Sequence, residues 1–135
     1  MKEDITYPEK LHLSLIRERP GLFFGSAMLS YLEHYIHGFN SAMSFLGLND
    51  TGSQKHVILP AGLYSYITEK YVGEGNTPLN CFRLILEAEQ DEEKAFVRFF
   101  EFVDEYLSAN GFDPMPYGGD WGARLKEVKS IMRIE

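Results

Sequence analysis

The chain has 135 residues, of which 44% are hydrophobic, and this is enough apolar side chain for one domain but not for two. Its formal net charge of −7 argues against nucleic acid as the main ligand, because phosphate binding needs clustered lysine and arginine. A single cysteine allows no internal disulfide, and no apolar run is long enough to cross a membrane. The polar N-terminus also lacks the apolar core of a signal peptide. A cytoplasmic protein is therefore expected.

Apolar residues at helical spacing predict two helices in the first third of the chain. Pro8 is placed to open the first helix, and the breaker sequence Arg19-Pro20-Gly21 ends it. Residues 22–25, LFFG, lie between two breakers and are expected to form a buried connector. Ser26 is the predicted N-cap of a long second helix. Gly38 lies inside that helix, where it costs roughly 1 kcal/mol relative to alanine and would be tolerated if another helix crossed closely.

The middle of the chain predicts two shorter helices. Residues 56–59, HVIL, are the best place for any strand, before Pro60 opens the third helix. Gly73 is the predicted end of that helix, whose buried row is Leu63, Tyr64, Ile67 and Tyr71. A fourth helix is expected over residues 79–89. Cys81 lies in this helix among apolar residues, which indicates a buried structural thiol rather than a nucleophile.

The segment 91–111, DEEKAFVRFFEFVDEYLSANG, has the strongest helical pattern of the chain. At about 100° per residue, its large apolar side chains fall on one face, with Phe102 and Tyr106 at the edge. That face consists of Phe96, Phe99, Phe100, Val103 and Leu107. Asp91 is the predicted N-cap, and Asn110-Gly111 the predicted end. This helix is therefore expected to bury an aromatic face and to expose a charged one.

The C-terminal segment combines an irregular loop with a basic helix. Residues 112–122, FDPMPYGGDWG, are too rich in proline and glycine for regular structure. Their large apolar side chains predict a loop packed across the surface, and the alternative is a recognition loop in which Tyr117 contacts a partner. A last helix is expected from residue 123. Residues 1–135 are therefore predicted to form a single all-α or mainly α domain, a bundle of five or six helices.

Negative charge is concentrated around the helix over 91–111. Between Glu87 and Glu105 there are eight carboxylates and two basic side chains, which accounts for −6 of the net −7. The carboxylates on its charged face that are candidates for contact with a partner are Glu93, Glu101, Asp104 and Glu105. A solvated face is the simpler explanation of this pattern, and a protein-binding surface is the alternative.

One short segment contains candidate metal ligands. Histidines three residues apart on a helix can share one side and bind a transition metal, and His34 and His37 have this spacing next to Glu33. No further ligand follows at a recognised spacing, so exposed or core-edge histidines are the simpler interpretation. His12 and His56 have no neighbour in the sequence that indicates a site.

Several segments together resemble a family of small bacterial proteins with an RP-G/A-aromatic-G element and a DEEKA...FFE...DE helix. In this chain they are residues 19–25 (RPGLFFG) and 91–106 (DEEKAFVRFFEFVDEY), with residues 66–71 (YITEKY) between them. The resemblance covers roughly residues 17–107. Residues 73–80 depart from the aromatic, Trp-containing pattern of the family at that position.

The resemblance implies a function, because proteins of this kind occur beside polymorphic or contact-dependent toxin genes. It implies an immunity protein, without enzymatic activity or cofactor, that binds and blocks a cognate toxin domain. The acidic helix face would then steer a basic toxin domain such as a nuclease. Two alternatives stay open: a metal-binding helical protein or enzyme that uses Glu33, His34 and His37, and a structural or homo-oligomeric protein that pairs through residues 115–121.

Overall fold

The computed structural model describes residues 9–47, 59–60, 62–73, 80–112, 115, 123 and 126. Within these residues, regular structure is helical throughout, as the all-α prediction requires. The helices are α1 (Glu9–Glu18), α2 (Gly21–Phe24), α3 (Leu29–Phe45), α4 (Leu63–Val72), α5 (Cys81–Glu89) and α6 (Glu92–Ala109). None of these described helices has the length and apolarity needed to span a bilayer. The strand expected near 56–59 lies outside the described residues except for Leu59.

Helix α6 forms the centre of the core, and α3, α4 and α5 pack against it. Its predicted aromatic face is buried, and so is Phe102, which the pattern placed at the edge. Phe99 stacks on Phe82 of α5 with ring centroids 5.4 Å apart, and it meets Phe100 edge-on at the same distance. Aromatic pairs in these geometries contribute beyond the area that they bury. The register of α6 therefore determines which of its residues remain outside.

The ends of α5 and α6 follow local capping rules. Asp91 caps α6 by accepting a hydrogen bond from the backbone N–H of Lys94 at 2.8 Å, as predicted. Asn80 caps α5 in the same way through Arg83 at 2.9 Å, so this helix begins at Cys81 rather than at residue 79. Positive φ at Gly73 and Gly111 follows the predicted ends of α4 and α6.

The N-terminus of α3 is capped by another helix. Ser26 was the predicted N-cap, and this was wrong, because α3 begins at Leu29 after Met28, which makes no side-chain cap. Instead, the Glu92 carboxylate of α6 accepts hydrogen bonds from the backbone N–H of Ser30, at 3.1 Å, and from its hydroxyl. An ionised acceptor at a helix N-terminus satisfies an orphan donor and opposes the helix dipole favourably.

We expect Glu92→Ala to lower the free energy of unfolding by about 1–2 kcal/mol, the usual cost of losing a side-chain cap. Glu93→Ala is the matched control, because it lies in the same first turn of α6 and is exposed. Both substitutions change helix propensity and the α6 dipole alike, so their difference isolates the contact with Ser30. Urea unfolding of the two variants measures the difference between their free energies of unfolding. An equal loss of stability in both variants would contradict the capping role of Glu92.

Sequence patterns do not show which neighbour covers a side chain, and two local predictions failed in part for this reason. The predicted buried connector is a short helix, α2, in which Phe23 and Phe24 pack partly buried against the core while Leu22 is 64% exposed. Gly38 is not a close crossing point, since no described atom outside its own helix lies within 4 Å of where its Cβ would be. Tyr64 is 42% exposed rather than part of the buried row of α4.

Candidate protein-binding surface

The solvent-facing side of α6 places carboxylates around an exposed valine. Glu93, Val97 and Glu101 follow one another at four-residue spacing, so they lie along one line of the helix. Val97 is 58% exposed, and both glutamates are exposed. Among the described residues, Glu93 forms no hydrogen bond or ion pair. The line is thus an apolar side chain flanked by carboxylates, at least one of which is available to a ligand.

Arg98 organises the C-terminal half of this surface. Its Nη1 lies 3.4 Å from Oε1 of Glu101 and 3.6 Å from Oε1 of Glu105. Its guanidinium Cζ lies 4.1 Å from the ring centroid of the buried Phe102. Because ring and carboxylates together hold the guanidinium, Arg98 keeps the two glutamates next to each other while neutralising one of their charges. Side-chain exposures of 52% for Glu101 and 44% for Glu105 leave both accessible.

Two further residues join this surface from other helices. Tyr71 of α4 packs its ring edge-on against Phe102, with centroids 5.7 Å apart. Burial raises the pKa of the Tyr71 phenol; Arg98 opposes the shift, and the charges of Glu89 and Glu105 add to it. Glu89 at the end of α5 therefore lies in the same electrostatic environment as the α6 carboxylates. We call Glu89, Glu93, Val97, Glu101 and Glu105 the acidic surface.

Asp104 was a candidate for contact with a partner, and the structure gives it an internal role. Its Oδ1 and Oδ2 lie 3.2 and 3.0 Å from Nη1 of Arg17, which ties α1 to α6. The Arg17 guanidinium also lies over the ring of Phe100, with Cζ 5.6 Å from the centroid. The Asp104 side chain is still 45% exposed. It therefore lies beside the acidic surface, but its charge is already compensated.

The predicted contact residue Tyr117 lies outside the described residues. Two residues of the predicted loop 112–122 are described, and one of them, Met115, is 8% exposed and belongs to the core. Phe112, where the loop begins, packs partly buried against that core. These two positions agree with the prediction that the loop is packed.

The three candidate metal ligands are separated by the structure. Glu33 is 4% exposed, and its Oε2 accepts a hydrogen bond from the Asn80 amide at 2.8 Å, while Oε1 lies 4.0 Å from Nε of Arg83. His34 and His37 are exposed, and His37 contacts the ring of Phe82 on α5. In the described part of the chain, no group of three or more histidine, cysteine, aspartate or glutamate side chains is placed to hold a metal ion. Glu33 instead joins α3 to the start of α5.

Cys81 is buried, as predicted, with 2% of its surface exposed. Burial, reinforced by the charge of Glu33, raises the pKa of its thiol to about 12. The thiol is therefore protonated at neutral pH, and the protonated form is a poor nucleophile. This residue packs against the core and offers no covalent chemistry.

Comparisons with known proteins do not add a family to this description. No protein-family model matches the chain, and no match is found among curated proteins or solved structures. The function therefore has to be argued from the chain's own surfaces.

His12 is the site that sequence reasoning missed. It is 6% exposed, its Nε2 lies 2.8 Å from the hydroxyl of Tyr35, and the rings of Phe23, Tyr35 and Phe39 surround it at 5.1–5.8 Å between centroids. Burial lowers the pKa of the imidazole to about 4. The only sequence feature that pointed to this cluster was the four-residue spacing of Tyr35 and Phe39, which places both rings on one face of α3. No local pattern connects that face to α1.

Proposed function

We propose that this chain is a cytoplasmic, non-enzymatic immunity-type protein that binds a bacterial toxin domain and blocks it by occlusion. The acidic surface is the observation that carries the proposal. It combines exposed glutamates of α6 beside Val97 with the half-buried Glu89 of α5. Its α6 residues lie on the helix that carries the DEEKA...FFE...DE resemblance. Its contact residues are Glu93, Glu101 and Glu105, with Asp104 at the edge.

The physical properties of this surface favour a basic protein as the partner. An apolar residue surrounded by charged ones resembles the layout of protein interfaces, in which the centre is apolar and the rim polar. Carboxylates on such a rim attract a basic partner over several ångströms and raise its association rate. A basic toxin domain such as a nuclease has the complementary charge. Binding would then cover part of the toxin and deny access to its substrate.

The alternative functions have weaker support. A metal-dependent activity would need Glu33 together with His34 and His37, but Glu33 is buried against Asn80 while the histidines face solvent. A cysteine enzyme would need a reactive thiol, and the pKa of Cys81 is raised to about 12. Pairing of two copies through residues 115–121 would use a loop whose described residue, Met115, is buried.

Charge reversal of the acidic surface is the test. We expect the triple variant Glu93→Lys, Glu101→Lys and Glu105→Lys to bind the toxin domain encoded beside this gene with an association rate lower by about tenfold or more at low salt. The difference should shrink as ionic strength rises, because salt screens exposed charges. Stopped-flow association and growth of cells that express both proteins measure the effect. Asp104 is kept, since its contact with Arg17 joins α1 to α6, whereas the contacts of Glu101 and Glu105 with Arg98 lie within α6.

Glu69→Lys is the control variant, because Glu69 is an exposed glutamate on another helix, α4. It should retain both the association rate and the protection of growth. The proposal is wrong if the triple variant protects as well as the wild type, or if the neighbouring gene product is neither toxic nor bound.

A further inference from the structure

An open cleft lies between α2 and α3, and none of the acidic surface residues lines it. It has a volume of about 350 Å³ and is lined by Phe24, Tyr31, His34 and Tyr35. Three of these four side chains are aromatic rings of phenylalanine or tyrosine. Tyr31 is 43% exposed, so one wall of the cleft is directly accessible from solvent. We call it the aromatic cleft.

Two walls of the aromatic cleft, those formed by Phe24 and Tyr35, are held in place from behind. Phe24 packs against Tyr35, with ring centroids 5.6 Å apart, and against Phe96 of α6 at 6.4 Å. The hydroxyl of Tyr35 lies 2.8 Å from Nε2 of the buried His12. A side chain that enters the cleft therefore meets rings whose orientation is already determined, which reduces the entropic cost of binding.

Elsewhere in the described residues, three rings have a cation over one face. Arg98 lies over Phe102 at 4.1 Å, Lys70 over Tyr66 at 4.9 Å and Arg17 over Phe100 at 5.6 Å from the centroid. In the aromatic cleft, by contrast, none of the described arginines or lysines lies over a ring. Ring faces attract cations, and arginine is the side chain most often found there.

One carboxylate of α6 lies near this cleft. The Glu92 carboxylate is bonded to Ser30, the residue directly before Tyr31. Phe24 contacts Phe96, which lies one helical turn after Glu92 on α6. The chain as a whole carries −7. A cationic side chain is therefore favoured over an anionic one.

We propose that the aromatic cleft binds an arginine side chain of the partner, with the guanidinium over the rings of Tyr31 and Tyr35. This inference rests on the proposed function, since a basic partner is the source of the arginine. It extends that function by placing a second contact on α2 and α3, where the RPGLFFG element contributes Phe24. The acidic surface attracts the partner, and the cleft holds one of its side chains.

The test uses two short peptides that differ only in charge, acetyl-Gly-Arg-Gly-amide and the same peptide with citrulline, the uncharged isostere of arginine. NMR of the whole chain follows the ring signals of Tyr31 and Tyr35 during titration at constant ionic strength. We expect saturable shifts of both rings with the arginine peptide and much smaller ones with the citrulline peptide. Tyr31→Leu should weaken arginine binding roughly two- to fivefold, which is the effect of one exposed cation–ring contact.

Tyr64→Leu is the matched control, because Tyr64 is 42% exposed against 43% for Tyr31 and lies on α4. It should leave the affinity for the arginine peptide unchanged. Equal binding of the two peptides would show an apolar cleft without preference for a cation, and absence of saturable shifts would show no site. Either result overturns the inference. Neither depends on Glu93, Glu101 or Glu105, so the proposed function stands or falls separately in the charge-reversal experiment.

Discussion

Replacing Phe99 with alanine is expected to lower the free energy of unfolding by about 3–5 kcal/mol, the usual cost of removing a buried phenylalanine. Phe99 has 0% of its surface exposed. Its ring stacks on Phe82 at 5.4 Å and meets Phe100 edge-on, so the substitution removes contacts between α5 and α6 as well as within α6. Because the two partners are held by their own helices, the space cannot close fully. The cost therefore includes a cavity as well as lost burial.

Urea unfolding monitored by circular dichroism measures this loss, and Val97→Ala is the control on the same helix. Val97 is 58% exposed, so its truncation should change stability by less than about 0.5 kcal/mol. Phe99→Leu keeps most of the apolar volume and should fall between the two. If Phe99→Ala costs no more than Val97→Ala, then α6 does not form the centre of the core as described.

The features of the fold that the sequence predicted are those that depend on neighbours along the chain. The aromatic face of α6 was predicted because residues three and four apart share one side of a helix. The Asp91 cap and the end of α4 at Gly73 were predicted because capping involves residues within one turn. In each case the partners lie close enough in sequence for spacing alone to identify them.

The features that could not be predicted join residues far apart in the chain. The Glu92 carboxylate bonds to Ser30 across 62 positions, and Arg17 pairs with Asp104 across 87. Nothing in the spacing around Ser30 indicates that its cap comes from α6. Ser26 was wrongly predicted as the N-cap because it is a suitable capping residue close in sequence, whereas Glu92 is too distant in sequence to be recognised as the cap.

For the acidic surface, too, the sequence predicted the local features but not the contacts between helices. Periodicity placed Glu93, Glu101 and Glu105 on the outside of α6, and the structure agrees. It could not show that Asp104 is occupied by Arg17, or that Glu89 and Tyr71 approach from two other helices. The sequence therefore predicted which charges of one helix are exposed, whereas the shape of the surface required the packing of three helices.

His12 is expected to make the protein sensitive to mild acid. Its pKa is about 4 in the folded chain and 6.5 for an ordinary histidine, because burial disfavours the charged form. The unfolded chain therefore binds a proton between these values and the folded chain does not. The contribution of neutral His12 to stability is present in full above pH 6.5, and it is lost as the pH falls towards 4. Its size is about 3 kcal/mol at most.

The His12→Gln variant separates the effect of His12 from that of acid on the carboxylates, since carboxylates in general have pKa values near the lower end of this range. Glutamine keeps a polar group near the Tyr35 hydroxyl but has no proton to gain, so the variant should lose less stability than the wild type on acidification. His34→Gln is the control, because it makes the same change of side chain at an exposed position of α3. Urea unfolding across the range gives the slopes, and NMR of the His12 ring gives its pKa directly. A pKa near 6.5, or equal slopes for His12→Gln and wild type, would mean that His12 is not enclosed by the rings of Phe23, Tyr35 and Phe39 in solution.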